Sequence, residues 1–261
     1  MSAPLGPWKL EQDGPLAVLT IAKPPLNLFD QPVFDGLVNA VEQLRADPPR
    51  GLLFRAEGRV WTGGVDVHMF EGLTPQTGGE VWRRGLEMIQ AVEDLPCPVI
   101  FAAHALTLTW GFELALACDV VVAAEGAQFG LVEIVVGLTP SMGGPQRLTE
   151  KAGPTRAKDL VMSGELFGAQ TMREWGVVTR VWPDAEFEEQ ARRFALRLAN
   201  GPTRAHAATK ELVKAAKEDG ARAADALVPE VGGALFGTED LQGAVASFLE
   251  HGPGKATYRG R

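Results

Sequence analysis

Two glutamates stand where a carboxylate needs a reason. Glu113 lies in Leu108-Thr109-Trp110-Gly111-Phe112-Glu113-Leu114-Ala115-Leu116-Ala117-Cys118-Asp119. Glu133 lies in Phe129-Gly130-Leu131-Val132-Glu133-Ile134-Val135-Val136-Gly137. A carboxylate in apolar surroundings is costly unless it is paired, hydrogen-bonded or kept protonated. Two such groups that converge in different protonation states form an acid/base pair, one holding water and the other giving a proton. Each also has a plain structural explanation. The helix dipole favours an acid such as Glu113 in a first turn, and Glu133 reads equally as a solvated side chain on an edge strand.

Two further segments could serve such a pair. Paired glycines in Arg59-Val60-Trp61-Thr62-Gly63-Gly64-Val65-Asp66 let backbone amides approach a ligand, although an ordinary tight loop has the same composition. A strand from Pro98 that leads into a helix at Trp110-Gly111 aims free N–H groups and a positive dipole end at a site, which is the make-up of an oxyanion hole.

The elements that position these groups follow from periodicity. Leu16 to Ile21 and Gly51 to Arg55 read as buried strands, and Asp119 to Ala124 as another. Val33, Phe34, Leu37, Val38, Val41 and Leu44 recur at helical spacing across residues 31–45, with Asp30 and Pro32 as start signals. Glu80 to Asp94 reads as a helix, Cys97 to Leu108 as a strand, and Gly137 to Pro145 as a turn-rich loop. Residues 16–150 therefore alternate strand, helix and glycine loop, an α/β core. The remainder is alanine-rich. It predicts helices over 154–162, 169–175, 185–199, 203–217 and 239–251, with a short strand at 177–181.

Composition narrows the classes. With 261 residues, 46% apolar and 22% charged, the chain can bury a full core. A net charge of -8 argues against binding nucleic acid or an anionic membrane surface. Two cysteines in apolar context, Cys97 and Cys118, predict a reduced cytoplasmic protein without disulfides. Met1 to Gln12 lacks a signal core, and no apolar run is long enough to span a bilayer. His68, His104, His206 and His251 show no metal-ligand spacing.

Taken in order, the segments resemble the crotonase (enoyl-CoA hydratase/isomerase) superfamily over nearly the whole chain. Pro24-Pro25-Leu26-Asn27 is similar to the family's Pro-x-x-Asn loop, and Gly63-Gly64-Val65-Asp66 to its Ala-Gly-Ala-Asp. Glu113 to Asp119 follows Glu-Leu-Ala-x-x-Cys-Asp, and Ala127 to Glu133 follows Ala-x-Phe-x-x-Pro-Glu. Gly143-Gly144-Pro145-Gln146-Arg147-Leu148 resembles Gly-Gly-x-Gln-Arg-Leu, and the tail from Phe248 to Arg261 is similar to the family ending.

The resemblance implies a spiral of repeated β-β-α units with a helical C-terminal region. Core and acyl-CoA site are expected over residues 1–195, and a capping, trimerising region over 196–261. It implies acyl-CoA thioester substrates, CoA entering as part of the substrate, no other cofactor and no metal, and a homotrimer or dimer of trimers. It carries the oxyanion donors onto the amides of Val65 and Trp110, and the water-holding carboxyls onto Glu113 and Glu133. Gly63, Gly64, Asp66, Gly111 and Leu26 fall at substrate-binding positions. The implied reaction is hydration of a 2-enoyl-CoA. An isomerase, decarboxylase or thioesterase relative, or a catalytically weak acyl-CoA-binding homologue, are the alternatives.

Departures from the family pattern sit beside the site. Trp110 takes a position where the family has glycine, and into or across the acyl pocket is one course open to its indole. His104-Ala105 replaces Asn-Gly, and Val132 replaces the proline before the second glutamate. His251-Gly252 stands where Lys-Arg is common, with Lys255 and Arg259 as candidate substitutes for CoA phosphate contacts.

Overall fold

The computed structural model describes residues 3–261. Its frame is a six-stranded sheet, in spatial order β1 (Trp8–Asp13), β2 (Leu16–Ile21), β3 (Gly51–Ala56), β4 (Val99–Ala103), β6 (Val120–Ala124) and β9 (Arg180–Trp182). β1 pairs antiparallel with β2, and every other pairing in this sheet is parallel. A smaller sheet joins β5 (Thr107–Leu108), β7 (Gln128–Gly130) and β8 (Phe167–Gly168).

Helices follow the strands in a repeating order. β1 and β2 lead into α1 (Gln31–Ala46), β3 into α2 (Pro75–Glu93), β4 and β5 into α3 (Trp110–Ala117), and β6 and β7 into α4 (Gly144–Ala152). The second strands of successive turns stack through the Thr62–Thr107 bridge and the Thr107–Phe129 pair. This is the expected spiral of β-β-α units. The helices α5 (Pro154–Ser163), α6 (Ala169–Glu174), α7 (Phe187–Ala199), α8 (Thr203–Asp219), α9 (Ala221–Ala234) and α10 (Glu239–His251) complete the chain.

Alternation along the parallel strands explains why both faces are apolar. Ala17, Leu19, Ile21, Leu52 and Phe54 join α1, α2 and α3 in one cluster. Leu16, Val18, Leu53, Ile100 and Val122 face the other way, onto Phe187, Ala191 and Phe194 of α7. α7 thus lies across the sheet and spans position 195. α1 starts as its sequence predicts: the Asp30 carboxylate accepts from the Val33 amide at 3.1 Å, with Pro32 in the first turn.

Three boundaries differ from the sequence reading, and some elements had no counterpart in it. α2 begins at Pro75 rather than Glu80, because Thr74 and Thr77 cap it reciprocally and outweigh Gly78-Gly79. The expected strand over 97–108 is two, since the chain leaves the large sheet at His104 and enters the small one at Thr107. The last strand covers Arg180–Trp182. β1 and α9 had no counterpart in the sequence reading.

Candidate active site

The Gly63-Gly64 loop is held from below. Phe29 N donates to Gly64 O at 2.9 Å, and Asp66 N donates to Phe29 O at 2.9 Å. This pairing turns the intervening Val65 N–H to the opposite side, where it has no protein partner among the described residues. The Asn27 side chain braces the same loop by donating to Val60 O at 3.1 Å and Trp61 O at 3.0 Å. Thr62 Oγ1 donates to Asn27 O at 2.8 Å and accepts from Gly64 N at 3.0 Å. Gly64 adopts φ 112°, a conformation that favours glycine.

Beside this loop α3 begins. Trp110 is its first residue, so its N–H belongs to the turn that has no intrahelical acceptor. The preceding Thr109 is buried at φ 47° and ψ -120°, strained for a β-branched residue, and is pinned by its own N–H to Gly130 O at 2.9 Å. Gly111 lets the helix close on the loop, because a Cβ there would lie 2.4 Å from Thr62 Cγ2. We expect Gly111→Ala to lower unfolding stability by about 1–3 kcal/mol in urea titrations, from overpacking.

The indole of Trp110 does not enter an acyl pocket. It is 1% exposed and packs against Phe29, Trp61 and Trp8, with ring centroids 5.1, 5.4 and 6.1 Å away. Its Nε1 donates to Thr62 Oγ1 at 2.9 Å and Gly64 O at 3.0 Å. The reason is the first-turn geometry of α3, which sends this ring under the loop. Burial of an aromatic surface and a satisfied N–H then hold it there.

α3 is buried on all sides, and Glu113 is its one ionisable residue, 3% exposed. Glu113 Oε1 accepts from Met142 N at 2.8 Å and Gly144 N at 2.9 Å, at the start of α4. Both bonds fall on Oε1, which leaves Oε2 without a protein donor among the described residues. Burial raises the Glu113 pKa to about 7, against the two amide bonds and the Arg147 charge, which lower it. Arg147 fixes that amide pair in place. Its Nε donates to Glu93 Oε1 at 2.8 Å and a second contact closes the ion pair, tying α4 to α2.

Glu133 opens a short 3₁₀ turn, Glu133–Val136, rather than continuing an edge strand, since β7 ends at Gly130. Its Oε2 is buried and has no hydrogen-bond partner among the described residues. Burial first, and the Glu113 charge second, raise its pKa to about 8. The two glutamates are therefore electrostatic neighbours.

The remaining expected positions surround this centre differently. Leu26 is half-buried, and its carbonyl accepts from Gly63 N at 2.8 Å. Asp66 caps the turn Val67–Phe70, and its bond to His68 Nδ1 at 2.7 Å lowers its pKa. Asp119 is committed to Val99 N at 2.7 Å and Lys210 Nζ at 2.8 Å. It therefore serves the sheet, and the cleft of about 840 Å³ that it lines beneath α8 lies at the opposite end of α3 from the glutamate pair. The sequence reading did not single out Thr62, Met142, Gly144 or Arg147. The Gly-Gly-x-Gln-Arg-Leu segment was the available signal for the last two.

A mostly parallel two-sheet spiral with a buried carboxyl pair beside loop amides defines an α/β enzyme fold of crotonase type. The family model for enoyl-CoA hydratase/isomerase matches residues 11–259, and the chain belongs to that family. It is 31% identical over 238 residues to a probable enoyl-CoA hydratase of Bacillus subtilis, covering 90% of this chain and 92% of the relative. It is 33% identical over 212 residues to carnitinyl-CoA dehydratase of Salmonella typhimurium, covering 80% of each. Among solved structures, a putative enoyl-CoA hydratase from Streptomyces coelicolor superposes with a TM-score of 0.92 at 29% identity, over 98% of this chain and 94% of the other. The DspI structure from Pseudomonas aeruginosa superposes with a TM-score of 0.87 at 30% identity, over 95% of each.

Proposed function

We propose that this family member is an enoyl-CoA hydratase that adds water in syn fashion across a 2-enoyl-CoA. The observation that carries the reading is the carboxyl pair itself, Glu113 held through Oε1 by the Met142 and Gly144 amides and Glu133 with a buried Oε2, burial raising the pKa of both. Hydration requires one ionised and one protonated carboxyl; the ionised state is assigned to Glu113, whose Oε1 accepts two amide hydrogen bonds, and the proton to Glu133, whose buried Oε2 accepts none among the described residues. Glu113 takes a proton from water as the water oxygen bonds to C3. The C2–C3 π electrons move toward the thioester, whose oxygen accepts hydrogen bonds from Val65 N and Trp110 N. The enolate then collapses as Glu133 gives its proton to C2. Each such donor contributes roughly 3 kcal/mol to a developing oxyanion. The product is a 3-hydroxyacyl-CoA, and proton exchange with solvent resets the pair. No metal or further cofactor enters the scheme. Gly63, Gly64, Asp66, Gly111 and Leu26 are assigned to substrate binding around these groups.

The pair shares one mobile proton, so kcat/KM for hydration is expected to follow a bell. The acid limb falls as Glu113 protonates below about 7, and the alkaline limb falls as Glu133 ionises above about 8. The measurement is initial rate with crotonyl-CoA across pH. A rate flat through this range contradicts the assignment.

Self-association as a trimer or dimer of trimers is part of the reading. Exposed Phe236, Val245, Phe248 and Leu249, near the C-terminus, supply apolar surface for it. Among the described residues no helix is long and apolar enough to cross a membrane. The two free, buried cysteines support a reducing cytoplasm.

A further inference from the structure

We propose that the Trp110 indole is a positioning group that braces and polarises one oxyanion donor while the backbone of the same residue supplies the other. The inference rests on the oxyanion-hole reading above.

The geometry is a single peptide unit seen from both ends. The Gly64 carbonyl and the Val65 N–H belong to one trans amide, so they point in opposite directions. The carbonyl end accepts from Phe29 N at 2.9 Å and Trp110 Nε1 at 3.0 Å, while the one Thr62 hydroxyl hydrogen is committed to Asn27 O at 2.8 Å. Donors at the carbonyl draw electron density from the amide and make its N–H a stronger donor. They also fix the plane in which that N–H points. Among the described residues the N–H of Val65 has no protein acceptor, so its stronger dipole is directed at whatever occupies the site.

Trp110 itself cannot drift. Its ring is wedged among Phe29, Trp61 and Trp8, and its backbone N–H opens α3. The strained Thr109 and the Thr109 N to Gly130 O bond hold it from the other side. The two donors are thereby set by one rigid residue, which fixes their spacing. A glycine at 110 leaves the second donor intact but gives no donor to the Gly64 carbonyl and no ring to fill the space behind the loop. The indole is thus a brace rather than an obstruction.

The test replaces Trp110 by β-(3-benzothienyl)alanine through amber suppression, which exchanges the N–H for sulfur and keeps ring shape. Trp110→Phe serves as a second variant, and circular dichroism confirms folding of both. Two readouts are taken: steady-state hydration of crotonyl-CoA, and the Raman C=O stretching frequency of bound butanoyl-CoA, which has no double bond to hydrate. We expect kcat to fall about three- to tenfold, KM to stay within about twofold, and the C=O frequency to rise toward its solution value. A folded variant that keeps both the wild-type kcat and the wild-type frequency overturns the proposal. So does a variant that loses activity with the frequency unmoved, because that is a structural effect alone. If the wild-type protein binds butanoyl-CoA with a lowered C=O frequency but hydrates no enoyl-CoA, the hydratase reading fails, and the frequency comparison still decides the brace.

Discussion

Glu113→Gln is expected to lower kcat for 2-enoyl-CoA hydration by about two to four orders of magnitude, with KM changed little. The substitution is nearly isosteric. The glutamine carbonyl can keep the Met142 and Gly144 amides that Glu113 Oε1 now accepts. What is lost is the basicity of the other oxygen, the one without a protein donor among the described residues, where a water can be held and deprotonated. The variant should also gain stability at alkaline pH. Burial raises the folded pKa of Glu113 from 4.5 to about 7. The native state therefore binds more protons than the unfolded chain between those values, and stability falls as pH rises through them. Glutamine removes that loss. Thermal melts of both proteins on either side of this range, together with turnover of crotonyl-CoA, check both parts. A variant with wild-type turnover removes Glu113 from the water-activating role.

Glu133→Gln is expected to cost a similar factor, about two to four orders of magnitude in kcat, with a different isotopic signature. Glu133 is assigned to the C2 proton, so its loss should abolish exchange of the C2 hydrogens of a bound 3-hydroxyacyl-CoA with deuterium oxide. Glu113→Gln should retain part of that exchange, because the acid that serves C2 is still present. Mass spectrometry of recovered thioester separates the two. Equal exchange in both variants contradicts the division of labour. Here too the stability sign is fixed. Burial and the neighbouring Glu113 charge raise the pKa to about 8, so the native protein loses stability as pH climbs from 4.5 toward that value. The buried Oε2 of Glu133, without a partner among the described residues, is a cost the fold carries at the candidate site.

Much of the site could be read before the fold was known, and the gaps have physical causes. Glu113 and Glu133 were visible because a carboxylate in an apolar run is conspicuous by residue type. α1 was visible because its apolar residues, Asp30 and Pro32 agree with one another. β1 was missed because it is an edge strand with Lys9, Glu11 and Gln12 in or near solvent and only Trp8 fully buried. α9 was missed because Pro229 and Gly232-Gly233 interrupt its pattern, although the helix continues through them. The partners of Glu113 carry no residue-type signal, since Met142 and Gly144 act through backbone amides. The direction of the Trp110 indole was open for a similar reason. It depends on where the Gly64 carbonyl and the Phe29 ring lie, positions set by segments 46 and more residues away along the chain. The ring does not take the course into the acyl pocket and supports the loop from the core side.

The central claim is that the two glutamates form an acid/base pair that adds water to an enoyl thioester. Incubation of the protein with crotonyl-CoA in deuterium oxide, followed by proton NMR, tests it most directly. The expected product is 3-hydroxybutanoyl-CoA with one deuterium at C2, on the face that received the hydroxyl. Recovery of unreacted crotonyl-CoA, of a migrated double bond, or of free CoA from thioester cleavage contradicts it.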